Sequence, residues 1–276
     1  MEVIRMTDQE FKKLSILIYE GYGIKMPVAK KVMLEGRLRK RLIITKMSSF
    51  TDYCNFLFSK EGMKNELIHM IDVVSTNKTD FFREPGHFNY MTDFLLLEFQ
   101  KESRGKPLNI WSSASSSGEE AYTIAITIEE FYKQNKTFDY SVFCTDISSE
   151  VIKKGVQGIY DESRISNIPL NIKKKYFLKG KEGNNNKVRV VPELRKKMTF
   201  NRLNLMDDSY SVPYDFDVIF CRNVLIYFDK QVQERVINKL CNKLKKGGIL
   251  FLGHSESIAG INVPLETISP TIYRKV

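Results

Sequence analysis

Residues 77–276 predict an α/β fold built on an open, Rossmann-like sheet, and residues 1–76 predict an all-α domain in front of it. Three observations carry this reading. Leu108-Asn-Ile-Trp111 reads as a short buried strand, Ser112 to Gly118 as a tight turn of small residues, and Glu119 onward as a helix with Ile124, Ile128 and Phe131 on one face. Strand, small-residue turn, helix is how an open α/β sheet builds a ligand crevice at the carboxyl end of its first strand. Further strands and amphipathic helices alternate after it, whereas residues 1 to about 75 read as helices alone.

The turn also restricts the ligand. Only Gly118 is present where a G-x-G-x-x-G pattern would have three glycines, which counts against a dinucleotide pyrophosphate. Two adjacent carboxylates, Glu119 and Glu120, suit a ligand carrying positive charge better than one carrying phosphates.

In the N-terminal region, Phe11, Leu14, Leu17 and Ile18 recur at helical spacing, and Gly21 and Gly23 end that element. A second helix is expected from about Pro27 to Thr45. Val28, Val32, Leu38 and Leu42 form its apolar face, and Lys30, Arg37, Lys40 and Arg41 fall opposite at 100° per residue. Such a basic face is either simply solvated or a docking surface for an acidic partner. Helices over about 50–58 and 62–74 complete a small bundle. Asn77-Lys-Thr-Asp-Phe-Phe-Arg-Glu84 breaks the pattern before a helix from Pro85 to about Glu102. Its two phenylalanines place the guanidinium of Arg83 at the edge of an apolar wall.

Tyr140 to Thr145 is the second strand of the sheet, ending in Asp146. An acidic residue at that tip holds ribose hydroxyls in such sheets, and an N-cap role for the following helix is compatible with it. Residues 160 to 197 interrupt the alternation. Tyr176-Phe-Leu178 and Lys187 to Val191, joined by a glycine- and asparagine-rich turn, predict a small antiparallel hairpin insert. It is basic: Lys173 to Lys175, Lys179, Lys181 and Arg195 to Lys197. Met198 to Leu205 resumes the sheet, and Phe216 to Cys221 is an apolar strand followed by Arg222-Asn223 and a turn carrying Tyr227. Asp229 opens a helix with Val232, Val236 and Leu240 inward, stopped at Lys246-Gly247-Gly248; a strand from Ile249 to Gly253 and a final hairpin around Pro270 follow. His254-Ser255-Glu256 has the composition of a nucleophilic triad, but adjacent residues at a strand end point different ways.

Net charge is +10 and the pI about 9.2, which favours an acidic partner: nucleic acid, anionic membrane or acidic protein. The N-terminus lacks a basic-then-apolar signal pattern, and no apolar run spans a bilayer. Cys54, Cys144, Cys221 and Cys241 are dispersed and the three histidines scattered, so no metal-ligand spacing is seen. Reduced, buried thiols in a cytoplasmic protein are expected.

Four stretches together resemble the CheR-type chemotaxis receptor methyltransferases. They are Asn77 to Arg83, Trp111 to Tyr122 with its Ser-Gly-Glu-Glu, Phe216 to Phe228, and Lys246 to Glu256 with Gly-His-Ser-Glu. In this order and spacing they cover nearly the whole chain. The resemblance implies a Rossmann-like class I methyltransferase sheet over 77–276, a helical N-terminal domain over 1–76 and a basic β subdomain at about 160–197. It implies transfer of the methyl group of S-adenosylmethionine to glutamate side chains of membrane-bound chemoreceptors, leaving S-adenosylhomocysteine and a γ-glutamyl methyl ester. The expected cofactor contacts are Asn77, Thr79, Arg83, Glu119, Asp146, Asn204, Leu205, Cys221 and Arg222, with Glu119 preferred over Glu120. Arg83 and Tyr227 are expected beside the transferring methyl. The partner implied is the acidic helical bundle of a methyl-accepting receptor, without nucleic acid or membrane insertion, and a monomer is the oligomeric state assumed. Ala121 stands where many members have proline and Ser115 where many have cysteine; both keep what the turn needs. Two rivals remain: a nucleic-acid methyltransferase, which a steeply salt-dependent RNA affinity would favour, and a binding module that holds the cofactor without turnover.

Overall fold

The computed structural model describes all residues except 1–3, 104, 133–137, 182 and 184. Residues 1–3 of the expected N-terminal domain, and Glu182 and Asn184 of the expected hairpin turn, therefore lie outside the described residues.

The N-terminal helices are α1 (Asp8–Tyr22), α2 (Lys31–Thr45, after a 3₁₀ turn at Val28–Lys30), α3 (Phe50–Leu57), α4 (Lys60–Asn65) and α5 (Leu67–Val74). Thr7 and Glu10 form a capping box at the start of α1, and Gly23 (φ 70°) ends it. Leu14, Ile18, Leu34, Leu38, Tyr53, Leu57 and Met70 make the buried core of this bundle. The expected helix over 62–74 is two helices, α4 and α5, meeting at Asn65–Leu67.

Helix α2 departs from its expected two faces. Leu34, Leu38 and Leu42 are buried, but Val28 and Val32 are 74% and 69% exposed. Arg37 and Arg41 turn inward. Arg37 donates to the carbonyls of Val74 and Ser75 at the end of α5. Arg41 makes a two-pronged pair with Glu66, Nε to Oε1 at 2.8 Å and a terminal nitrogen to Oε2 at 2.7 Å, and the Tyr53 hydroxyl donates to the same carboxylate. Both arginines flank the buried leucine stripe, and their long stems carry the guanidinium across apolar surface to acceptors on neighbouring helices.

The helix after the Asn77–Glu84 loop runs as α6 (Pro85–Tyr90), a π-helical turn (Met91–Leu95) and α7 (Leu96–Glu102). The sheet then builds from β1 (Leu108–Ser112), α8 (Glu119–Phe131), β2 (Tyr140–Asp146) and α9 (Ser149–Gln157). Next come β3 (Ile159–Asp161), α10 (Leu170–Tyr176), β4 (Phe177–Lys179), β5 (Lys187–Val190), α11 (Pro192–Arg195) and β6 (Met198–Arg202). The chain ends with β7 (Phe216–Cys221), α12 (Lys230–Cys241), β8 (Leu244–Leu252), β9 (Leu265–Ser269) and β10 (Ile272–Lys275). The main sheet has the order β6-β2-β1-β7-β8-β10-β9, parallel from β6 to β8 and antiparallel at β10 and β9. From β1 the chain winds outward through β2 to β6, then returns to the other side of β1 for β7 and β8. The switch point is therefore between β1 and β7, where open α/β sheets hold their ligands. Strand periodicity divides the core: Ile110, Val142 and Phe220 face α8, while Trp111, Phe143 and Ile219 face the side covered by α12.

Two elements differ from the sequence reading. The insert is a three-stranded antiparallel sheet, β3-β5-β4, because the short segment Ile159–Asp161 adds to the expected pair. Gly247 and Gly248 do not stop a helix; α12 ends at Cys241 and β8 runs through both glycines. The register against β7 shifts between Phe216 and Val218, and Gly247 has φ 76°, so the pair forms an irregularity in a long strand. All four cysteines are free thiols and buried. No helix is long and apolar enough to cross a membrane.

Removing Arg41 leaves the Glu66 carboxylate, 4% exposed, as an uncompensated buried charge. Arg41→Ala should cost about 3–5 kcal/mol of stability in urea unfolding. A loss below about 1 kcal/mol would mean that the pair behaves as a solvated one.

Candidate active site

A cavity of about 320 Å³ opens at the carboxyl ends of β1, β2 and β7, under the N-terminal bundle. Its floor is Ser113, Ala114 and Ser116 from the small-residue turn. One wall is apolar, with Ile147, Leu203, Leu205 and Phe228. The bundle adds Tyr22, Ile24, Met26, Lys30 and Met33 as a roof. The two parts are joined by Asn204, whose Nδ2 donates to the Gly21 carbonyl at 2.8 Å, and by the Tyr19 hydroxyl donating to Asp229.

One guanidinium organises the polar side. Arg222, at the tip of β7, is 2% exposed and donates to Glu84 Oε2 (2.9 Å), to Glu120 Oε2 (3.1 Å) and to the backbone carbonyl of Arg83. It also lies over the Phe88 ring, 5.6 Å from the centroid. Burial works against the Glu84 carboxylate, yet hydrogen bonds from Arg222 and Asn223 and the guanidinium charge bring its pKa down to about 2. Glu120 is pushed up by burial, which outweighs Arg222 and the Ser112 hydroxyl. The neighbouring turn 223–227 hangs on Glu256, which accepts from the amides of Asn223, Leu225, Ile226 and Gly253 at 2.6–3.3 Å. That turn presents Tyr227 to the cavity. Glu256 is thereby committed to backbone, and with Ser255 exposed the His254-Ser-Glu segment forms no triad.

The loop 77–84 is folded onto this platform. Phe81 is buried, the amide of Phe82 donates to Thr123 Oγ1 (3.1 Å), and the Ser116 hydroxyl donates to the Asn77 carbonyl (3.0 Å). Phe82, Glu84, Ser116 and Asn223 have φ of 56°, 59°, 48° and 58°, four of the six left-handed non-glycine residues among those described. Left-handed backbone at such residues persists where surrounding contacts over-determine it. Asp146 is 7% exposed. Its Oδ2 accepts from the Ser116 amide and its Oδ1 from the Ser148 amide, both at 2.9 Å, while burial still pushes its pKa up.

Of the residues singled out from sequence, Asn77, Thr79, Arg83, Asp146, Asn204, Leu205, Arg222 and Tyr227 line the cavity. Two do not. Glu119 turns away, accepting from Arg164 at 2.7 Å and from Ser117 at 2.7 Å, while Glu120 faces the cavity. Successive helical residues diverge by 100°, so only one of the two carboxylates faces in. Cys221 points into the core on the α12 side, 0% exposed, where burial pushes its thiol pKa upward. Arg83 is 35% exposed at the mouth and only 4.0 Å from Glu84 Oε1, so Glu84 is held by Arg222 instead. Sequence reasoning missed Glu84 as the partner of Arg222, 138 residues away, and missed Arg164, which ties Thr79, Asp80 and Glu119 together.

Because the folded pKa of Glu84 is depressed, its contribution is present above the ordinary glutamate pKa and is lost as pH falls toward about 2. Glu84→Gln should therefore cost on the order of 3 kcal/mol at pH 7 and flatten the loss of stability below about pH 4.5, read from urea unfolding across pH. An unchanged acid limb would exclude Glu84 as its source.

The donor set fits a cationic nucleoside ligand: a carboxylate at the β2 tip for ribose hydroxyls, a buried carboxylate at Glu120, and an apolar wall of Ile147, Leu203, Leu205 and Phe228 for the base. Comparison with known proteins agrees. Residues 77–274 match the model of the CheR methyltransferase SAM-binding domain, and residues 9–75 that of the CheR methyltransferase all-alpha domain. A chemotaxis protein methyltransferase of Borreliella burgdorferi is 39% identical, over 99% of this chain and 96% of its own. Those of Pseudomonas aeruginosa (chemotaxis protein methyltransferase 2) and Escherichia coli are each 35% identical, over 97% and 99% of this chain and 93% and 92% of theirs. The chain belongs to the CheR methyltransferase family, an S-adenosylmethionine-dependent methyltransferase of chemotaxis with its all-α and cofactor-binding domains in one polypeptide.

Proposed function

We propose that this enzyme methylates glutamate side chains of chemoreceptors, forming γ-glutamyl methyl esters, and that it works in the cytoplasm. The observation that carries the reading is that Arg83 and Tyr227 both line the cavity, with no histidine among its described lining residues. A receptor glutamate, with an ordinary pKa near 4.3, is already a carboxylate at pH 7 and needs no general base. When bound, S-adenosylmethionine supplies an electrophilic methyl on a sulfonium. The receptor carboxylate would take that methyl on its own lone pair as the S–C bonding pair stays with sulfur, so the chain would have no proton to move.

What the chain does is orient and desolvate. Asp146 would hold the ribose hydroxyls. Asn204 and Leu205 would bound the nucleoside, and Asn77, Thr79 and Arg222 would close around the methionine part with Glu120 in place of Glu119. Arg83, partly exposed, would steer the incoming carboxylate without the tight pairing that would blunt its nucleophilicity. Tyr227 would pack beside the methyl group or donate to the carboxylate. The roof residues Met26 and Met33 would exclude water.

For the receptor, charge complementarity supports an acidic helical surface. Of the basic residues expected on α2, Arg37 and Arg41 drop out because both are bound within the bundle, whereas Lys40 stays exposed. Exposed Lys40 and Lys46, beside exposed Ile43 and Ile44, are the corrected candidates.

The test is transfer of radiolabelled methyl to receptor-containing membranes. Volatile label released by base is expected, and base-stable label would point to nitrogen or nucleic-acid methylation instead. Arg83→Ala and Tyr227→Phe should each lower turnover on the order of 10²-fold with little change in cofactor affinity. Wild-type turnover in both would remove them from the reacting geometry.

A further inference from the structure

We propose that Glu84, His87 and His254 form a binding site for one divalent transition-metal ion of the zinc class. Oε2 of Glu84 and one ring nitrogen of each histidine lie within 4.8 Å of one another. Two imidazoles and a carboxylate are a ligand set that suits such an ion.

The ring of His87 is already set for this role. It is 2% exposed at the start of α6, and its Nε2 is 2.8 Å from Thr271 Oγ1 in the β9–β10 turn. The Thr271 hydroxyl also lies 2.7 Å from the Pro270 carbonyl, and when it donates there it accepts from His87. In that arrangement the ring proton sits on Nε2 and the Nδ1 lone pair is free to bind a cation. Nδ1 is buried, has no hydrogen-bond partner, and lies 3.8 Å from Glu84 Oε2. A lone pair facing a carboxylate oxygen is poorly satisfied by either neighbour alone, and a cation between them satisfies both. The Thr271 contact is the outer hydrogen bond that metal-bound histidines ordinarily make through their second nitrogen.

His254 completes the set from the end of β8. Its Nε2 is 3.9 Å from Glu84 Oε2, its ring meets His87 edge-on at 5.6 Å, and at 62% side-chain exposure it leaves an entry path and room for a water ligand. Tetrahedral zinc with bonds near 2.0–2.1 Å places donors about 3.3 Å apart, so the three must close by less than about 1.5 Å, most of it by rotation of the exposed His254. The ion would share Glu84 Oε2 with Arg222, which ties its occupancy to the cavity wall.

The experiment is calorimetric titration of zinc chloride into the chelator-treated full chain, repeated with Co²⁺ to read ligand-field absorption. Wild type should bind one ion per chain with a tetrahedral cobalt spectrum. His254→Ala should weaken binding at least about 10-fold, and His69→Ala, removing the one histidine outside the cluster, should leave it unchanged. Zinc should also weaken S-adenosylhomocysteine binding in wild type and not in His254→Ala. No stoichiometric binding, equal affinity in His254→Ala, or loss of binding in His69→Ala would each overturn the proposal.

Discussion

The site depends on one buried cation. Arg222 stands at the end of the central strand β7, 2% exposed, with two carboxylates and a backbone carbonyl around it. The contacts reach two other elements: Glu84 and the Arg83 carbonyl belong to the loop 77–84, and Glu120 to the first turn of α8. A buried guanidinium costs several kcal/mol to desolvate and is tolerated only when its donors are met in good geometry. That requirement forces the loop, the helix and the strand tip into one arrangement. The left-handed backbone at Phe82, Glu84 and Asn223 is the local consequence.

The same arrangement explains why a helical domain sits over the sheet. The cavity floor of Ser113 to Ser116 is open at the carboxyl ends of the strands, and the sheet itself provides no lid. Gly21 and Tyr19 at the end of α1 bond to Asn204 and Asp229, which fixes the bundle above the floor and brings Tyr22, Met26 and Met33 over it. The cavity is thus enclosed by residues of both domains.

Much of this was legible in the residues, for reasons of local chemistry. The small-residue turn after β1 and the acidic tip of β2 have meaning within a few positions of sequence, and Asp146 does line the cavity. What was not legible depended on direction or distance. The expected apolar face of α2 runs through Val28 and Val32, which puts Arg37 and Arg41 opposite it; the buried stripe runs instead through Leu34, Leu38 and Leu42, and both arginines lie beside that stripe and lean inward. Glu119 and Glu120 differ by one residue and by 100°, so the choice between them follows from how α8 leaves the turn, with Arg164 claiming Glu119. Glycines 247 and 248 signal a break, and a strand irregularity uses them as readily as a helix end. The pairing of Glu84 with Arg222 is purely tertiary.

The central claim is that the 77–84 loop, the 113–118 turn and the 223–228 turn close on one cofactor. Amide hydrogen exchange with and without S-adenosylhomocysteine tests it most directly, because the three segments are far apart in sequence. The account predicts ligand protection in all three together, and its loss in Arg222→Met while the exchange of β1 and β7 core amides stays slow. Protection confined to one segment, or full protection retained in Arg222→Met, would contradict it.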